Sequence, residues 1–176
     1  EATASEPLSL KEEYEMQVSW RDDDKKVTFI VLDATPKGDS KDDDVNDDEA
    51  SRMLGDVNLF LNDRDDPYNA EIEIMIAEKQ SRRKGFAREA LRLMMAYGVE
   101  SLNLTRFYAK IGKDNSASLA LFKSMGYVEV NYVEAFQEYE LELKCEDWRA
   151  VTCGHSGVKC AYALPAGVEE EEEYEE

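Results

Sequence analysis

The chain has 176 residues, 43% of them apolar, which suffices for one domain with a hydrophobic core and excludes a disordered chain. A formal net charge of −19 argues against a nucleic-acid partner, because neutralising phosphates needs a basic face, and favours a cationic or amine-bearing one. No apolar run approaches the roughly 18 residues of a membrane helix, and the opening "EATASEPLSL" has neither the basic end nor the apolar body of a signal peptide. The expectation is a soluble, intracellular protein, cytoplasmic rather than nuclear, with no membrane partner.

In chain order, "SLKEEYEMQVSW" from Ser9 carries a glutamate three positions after a serine, the spacing of a capping box, and predicts a helix to Trp20. The β-branched run "KVTFIVLDA", Lys26 to Ala34, reads as a strand. Pro36 to Arg52 then holds seven acids against three bases, and such self-repelling charge reads as a solvated loop insertion. "MLGDVNLFLN" from Met53 alternates as a second strand, forming a hairpin with the first and followed by the turn "NDRDDPYN".

In "AEIEIMIAE", Ala70 to Glu78, the two-residue period puts Ile72, Ile74 and Ile76 on one face and Glu71, Glu73 and Met75 on the other. Two carboxylates on one face are either a wet strand surface or an acid–base site. The strand leads into "SRRKGFARE" and a segment whose apolar residues Ala87, Ala90, Leu91, Met94, Met95, Gly98 and Val99 recur at helical spacing. Arg82, Arg83 and Lys84 therefore crowd a helix N-terminus, where cations are unfavourable for the helix alone. The unpaired N–H groups of a first turn, approached over the side-chain-free Gly85, suit an anion such as a polyphosphate, whose binding would offset that cost.

Further on, Asn115 caps a helix with the face Ser118, Leu121, Phe122 and Met125, and Gly126 suits its left-handed end. The cysteines Cys145, Cys153 and Cys160 are odd in number, and with His155 they have no metal-ligand spacing, so reduced thiols and no metal are expected. The last eight residues hold seven acids and no base, so residues 145–176 read as a disordered acidic tail.

Two of these segments carry a resemblance to a known family. Arg82-x-x-Gly85-x-Ala87, between a strand and a helix, is similar to the acetyl-CoA pyrophosphate loop of the GNAT N-acetyltransferase superfamily, written Q/R-x-x-G-x-G/A. Gln80 competes for the first position, but only Arg82 has the spacing to Gly85. After "RFYAKIG", the segment "NSASLALFKSMGY" resembles the family's N-x-x-S/A-x-x-L-Y/F-x-x-x-G-F/Y at Asn115, Ser118, Leu121, Phe122, Gly126 and Tyr127. "TASEPLSLKEEYEMQ", "TFIVLDA", "GDVNLFL" and "EIEIMIAE" further resemble the N-acetyltransferase 9 branch.

The resemblance implies an α/β (α+β) fold with a mixed, mostly antiparallel sheet flanked by helices, over residues 1–144, with "YVEVNYVEAF" and "FQEYELELK" as the last hairpin. It also implies that the family's first strand and helix precede the point where this chain begins. The activity implied is acetyl transfer from acetyl-CoA to an amine, on a protein N-terminus or lysine. Pantetheine would lie between two splayed strands against backbone groups of Met75, Ile76 and Ala77, with the pyrophosphate at Arg82, Arg83, Lys84, Gly85, Phe86 and Ala87, and with Asn115, Ser118 and Phe122 on the cofactor's other side. An amine with a pKa near 10 needs a carboxylate to take its proton at neutral pH. Glu71 is the first candidate and Glu73 the reserve. Phe122 stands where many members place a tyrosine that reprotonates the thiolate, and phenylalanine has no proton to give. A GNAT-fold interaction module, catalytically weak and recruiting a basic partner through its acidic segments, is the alternative.

Overall fold

Ser9 begins the first helix as its sequence spacing requires: its hydroxyl accepts from the Glu12 N–H, and the Glu12 carboxylate accepts from the Ser9 N–H at 2.8 Å. The computed structural model describes residues 9–34 and 49–144. Its elements are α1 (Leu10–Arg21), β1 (Lys26–Leu32), β2 (Met53–Phe60), β3 (Asn69–Ile76), α2 (Phe86–Leu102), β4 (Arg106–Gly112), α3 (Ser116–Ser124), β5 (Val128–Val133) and β6 (Glu138–Lys144). The acidic tail with Cys145, Cys153, His155 and Cys160, and residues 36–48 of the acidic insertion, lie outside the described residues. The end of that insertion is not loop: Glu49–Arg52 forms a 3-10 turn into β2, tied down by the Arg52 Nε–H donating to the Asp33 carbonyl at 2.9 Å.

The six strands form one mixed sheet in the order β1-β2-β3-β4-β6-β5. Every neighbouring pair is antiparallel except β3 and β4, which α2 connects. Both expected hairpins, β1–β2 and β5–β6, are present. Residues paired across a ladder share a face. Val57 with Ile74, Leu59 with Ile72, and Phe107 with Leu143 therefore line one side of the sheet. There α2 buries Ala90, Leu91, Met94 and Met95 against them, the apolar face read from its spacing. α1 differs from α2 in burying no residue, and its Tyr14, Val18 and Trp20 are exposed. Among the described residues no helix is long and apolar enough to cross a membrane.

Candidate active site

The parallel pairing of β3 with β4 stops after three rungs, at Glu71 and Tyr108, although β3 runs on to Ile76 and β4 to Gly112. The strands diverge from that point and leave a gap in the sheet. Backbone alternation decides what faces it. The Ala77 N–H donates to the Leu54 carbonyl on the β2 side, so by the two-residue period Met75 and Glu73 also direct their backbone groups to β2, while Ile74 and Ile76 direct theirs into the gap. This corrects the expectation at Met75 and Ala77: of the three residues named, only Ile76 turns its backbone towards the gap, and Ala77 does not line it.

The turn between β3 and α2 has a more specific structure than its sequence suggests. A short 3-10 turn, Lys79–Ser81, precedes it, and Gly85 sits outside the first turn of α2 at φ 97°, a left-handed conformation that glycine adopts without strain. A side-chain carbon built on Gly85 would meet nothing within 4 Å, so the space over the first turn is open. The first intrahelical bond runs from the Glu89 N–H to the Gly85 carbonyl, leaving the N–H groups of Phe86, Ala87 and Arg88 ahead of it. This geometry fits a phosphate group. The cations do not act as one cluster, however. Arg82 folds back, its Nε–H donating to the Ile76 carbonyl at 2.8 Å and Nη2 to the Ala77 carbonyl at 3.3 Å, and so fastens the turn to the end of β3. Arg88 Nη2 donates to Ser124 Oγ of α3 at 2.8 Å. Arg83 lines the cleft and Lys84 does not.

On the other side of the gap, the Asn115 side chain caps α3 by accepting from the Ser118 N–H at 3.1 Å, and both residues face the cleft. Phe122 is buried edge-on against Tyr127, with ring centroids 4.9 Å apart, and Gly126 ends the helix at φ 95°, as its position predicts. The Tyr127 hydroxyl is buried against Met95 Sδ at 3.3 Å. No tyrosine lines the cleft among the described residues.

One cleft of about 1720 Å³ joins these parts, running from the N-terminus of α2 through the gap to the opposite face of the sheet. That exceeds the roughly 300–1,000 Å³ of a site for a single small molecule, so there is room for a long ligand and an acceptor together. The far end is polar, with Thr28, Asp56, Asn58 and Glu73 on its wall. The two candidate carboxylates are not equivalent there. Glu71 does not line the cleft: its Oε2 is 2.8 Å from Lys110 Nζ, and its side chain is 14% exposed. Glu73 does line it, and its carboxyl is pushed above the usual carboxylate range, first by loss of water and then by repulsion from Glu71, with Lys26 and Lys110 pulling the other way. The Tyr108 hydroxyl is also raised, by burial first and Glu71 second.

The polar wall was missed in the sequence. Asp56 and Asn58 alternate onto one face of "GDVNLF", but only strand register brings that face beside Glu73, where Asn58 pairs with Glu73 and Asp56 with Met75. Lys26 lies over the Trp20 ring at 3.8 Å and marks the outer rim.

Comparison with known proteins agrees with this architecture. Residues 3–128 match the family model described as an acetyltransferase (GNAT) domain. The chain is 48% identical to an N-acetyltransferase 9-like protein of Nematostella vectensis, over 86% of this chain and 74% of that one. It is 52% identical to the alpha/beta-tubulin-N-acetyltransferase 9 of Drosophila melanogaster, over 81% and 70%. Its fold resembles that of a Vibrio cholerae spermidine N-acetyltransferase solved with CoA and spermine, at a TM-score of 0.63 and 22% identity, over 81% of this chain and 79% of that one. A non-catalytic interaction module is not favoured by these relationships. Split strands, an open glycine turn at a helix N-terminus and a carboxylate-lined far end stand together on a chain matched over most of its length: it belongs to the GNAT acetyltransferase family, beside the N-acetyltransferase 9 proteins, and is an N-acetyltransferase.

Proposed function

We propose that the chain uses acetyl-CoA to acetylate an amine on a protein, an N-terminus or a lysine, with tubulin as the candidate acceptor. The observation that carries this reading is the continuity of the cleft: one passage connects the open space over Gly85 with Glu73 on the opposite face of the sheet. The tubulin acetyltransferases among the relatives favour a protein acceptor, and with it a cytoplasmic setting. We read residues 1–144 as the catalytic domain, with 36–52 an acidic insertion and 145–176 an acidic tail.

When bound, acetyl-CoA supplies a thioester whose carbonyl carbon forms the new C–N bond as the C–S bond breaks. The N–H groups at the start of α2 and the open face of Gly85 hold the pyrophosphate, with Arg83 as the cation on the cleft wall. Ile74 offers its backbone groups and Ile76 its N–H to the pantetheine amides, while Arg82 holds the Ile76 carbonyl. Glu73 takes the proton from the acceptor nitrogen; its raised carboxyl pKa moves its basicity towards that of the amine. The leaving sulfur, with a thiol pKa of about 8.5, departs as a thiolate without a protein acid, and the second proton of the acceptor nitrogen passes to it through water, which suits a cleft without tyrosine.

The test combines binding and chemistry. The purified chain should melt at a higher temperature as acetyl-CoA is added, by about 2.7 kcal/mol of stabilisation at a hundredfold excess over Kd. With αβ-tubulin and acetyl-CoA, mass spectrometry should find a new acetylated amine. No thermal shift would overturn the cosubstrate; unmodified tubulin would overturn the acceptor.

A further inference from the structure

Asn58 is 6% exposed, and both ends of its side-chain amide are engaged. Its Oδ1 accepts from Thr28 Oγ1 of β1 at 2.6 Å, and its Nδ2 donates to Asp56 Oδ2 at 2.6 Å. The result is a chain of hydrogen bonds running from β1 into β2 and ending on a carboxylate that lines the acceptor end of the cleft. We infer that Asp56 binds the acceptor ammonium and presents its nitrogen to Glu73, and that Thr28 and Asn58 are positioning residues that fix the Asp56 carboxylate. This rests on the amine-acceptor reading of the cleft given above.

Register supports the pairing. Asp56 stands opposite Met75, two residues from Glu73 on β3, so the two carboxylates are diagonal neighbours on one face. Diagonal neighbours lie about 7–8 Å apart. An ammonium between them can donate to both, each hydrogen bond spanning roughly 2.8 Å. Two carboxylates are needed because the tasks conflict. An amine arrives protonated, which calls for a fixed negative charge to hold it; the proton must then go to an acid–base group, which loses its charge in accepting it. Asp56, tethered through Oδ2 to a buried amide, is suited to the first task and Glu73 to the second.

A purely structural reason for the chain of bonds is the need to satisfy a buried asparagine. That need accounts for Thr28, but Asn58 could spend its N–H on a backbone carbonyl; directing it to a cleft carboxylate orients that carboxylate.

The test is steady-state kinetics with αβ-tubulin as acceptor, comparing wild type, Asp56→Asn, Asp56→Glu and Thr28→Val. Losing a hydrogen bond between charged groups should raise the acceptor KM of Asp56→Asn by roughly 10- to 100-fold, with kcat changing little and acetyl-CoA affinity by calorimetry unchanged. Thr28→Val should raise the acceptor KM by roughly threefold to tenfold through loss of orientation. Asp56→Glu, which keeps the charge, should recover part of the loss. An unchanged acceptor KM in Asp56→Asn overturns the proposal, as does a fall in kcat at constant KM, or equal behaviour of Asp56→Asn and Asp56→Glu. If wild type leaves tubulin unmodified, the acceptor reading fails by itself. The same variants are then compared on a peptide library with free amino termini, and the same outcomes decide the role of Asp56.

Discussion

Lys110 Nζ stands 2.8 Å from Glu71 Oε2, just beyond the last rung that joins β3 to β4. The hydrogen bond that Lys110 donates to Glu71, and secondarily the charge of Glu71, hold the Lys110 ammonium pKa above its usual value. A carboxylate bound in this way and set back from the cleft ties the fork between the strands together and is poorly placed to accept a proton. We therefore propose Glu73 before Glu71 as the base, the reverse of the order read from the sequence.

Glu73→Gln should lower kcat by roughly 10²–10⁴-fold, the usual contribution of a general base, with acetyl-CoA affinity intact and the deficit shrinking at high pH, where more of the amine is already neutral. Glu71→Gln should keep kcat within severalfold and cost about 0.2–1 kcal/mol of stability from the partly exposed ion pair. Single-turnover rates and melting curves for both variants decide. A larger kcat loss in Glu71→Gln would restore the opposite assignment.

The same group predicts a pH-dependent stability. Glu73 has a carboxyl pKa above the usual 4.5, chiefly from loss of water, so the native state favours its protonated form. Its contribution to stability is full below the unfolded value and is lost as pH rises through the folded value. Ionised Glu73 therefore opposes folding at neutral pH, and Glu73→Gln should melt higher than wild type at pH 7. That gain should fade as the pH is lowered to about 4. An equal difference at both pH values would show that the carboxyl is not perturbed.

Gly85→Asp should abolish acetyl-CoA binding by placing a negative charge where the backbone meets the pyrophosphate. Gly85→Ala puts its methyl group in open space but forces an L-residue to φ 97°, at a stability cost of about 1–2 kcal/mol. Calorimetric titration of Gly85→Asp with full retention of affinity would remove the phosphate assignment.

Asn115→Ala should remove the cap of α3, costing about 0.5–2 kcal/mol, or roughly 2–4 °C in Tm per kcal/mol for a domain of this size. Asn115→Asp keeps an acceptor at the cap and should lose little. Equal melting points for the two variants would show that the cap bond contributes nothing.

A side-chain carbon at Gly55 would run into the Met75 carbonyl oxygen, a backbone atom that cannot swing aside. Gly55→Ala should therefore push β2 from β3 beside Ile76 and lower both Tm and acetyl-CoA affinity. A well-folded variant with unchanged affinity would show that the strand end absorbs the shift without altering the cleft.

Whatever depends on neighbours along the chain was legible in the residues themselves. The Ser9–Glu12 capping box, the alternation of β3, the apolar stripe of α2, the Asn115 cap and the left-handed Gly126 are short-range patterns, and each stands where its spacing placed it. The two motifs carried the family for the same reason, since each is contiguous in the chain, one a turn into α2 and the other the length of α3 with its two ends. What the tertiary structure decided depends on pairing between distant strands. Register put Asn58 opposite Glu73, across a turn that no local spacing measures, and so assembled a polar wall from β1, β2 and β3. The early end of the β3–β4 ladder opened the gap, and the β2–β3 pairing, which takes the Ala77 N–H to the Leu54 carbonyl, left the Ile76 backbone facing it. Lys110, 39 positions from Glu71, took that carboxylate into an ion pair and left Glu73 at the cleft. Alternation could place both glutamates on one face; only the partner across the sheet could make them different.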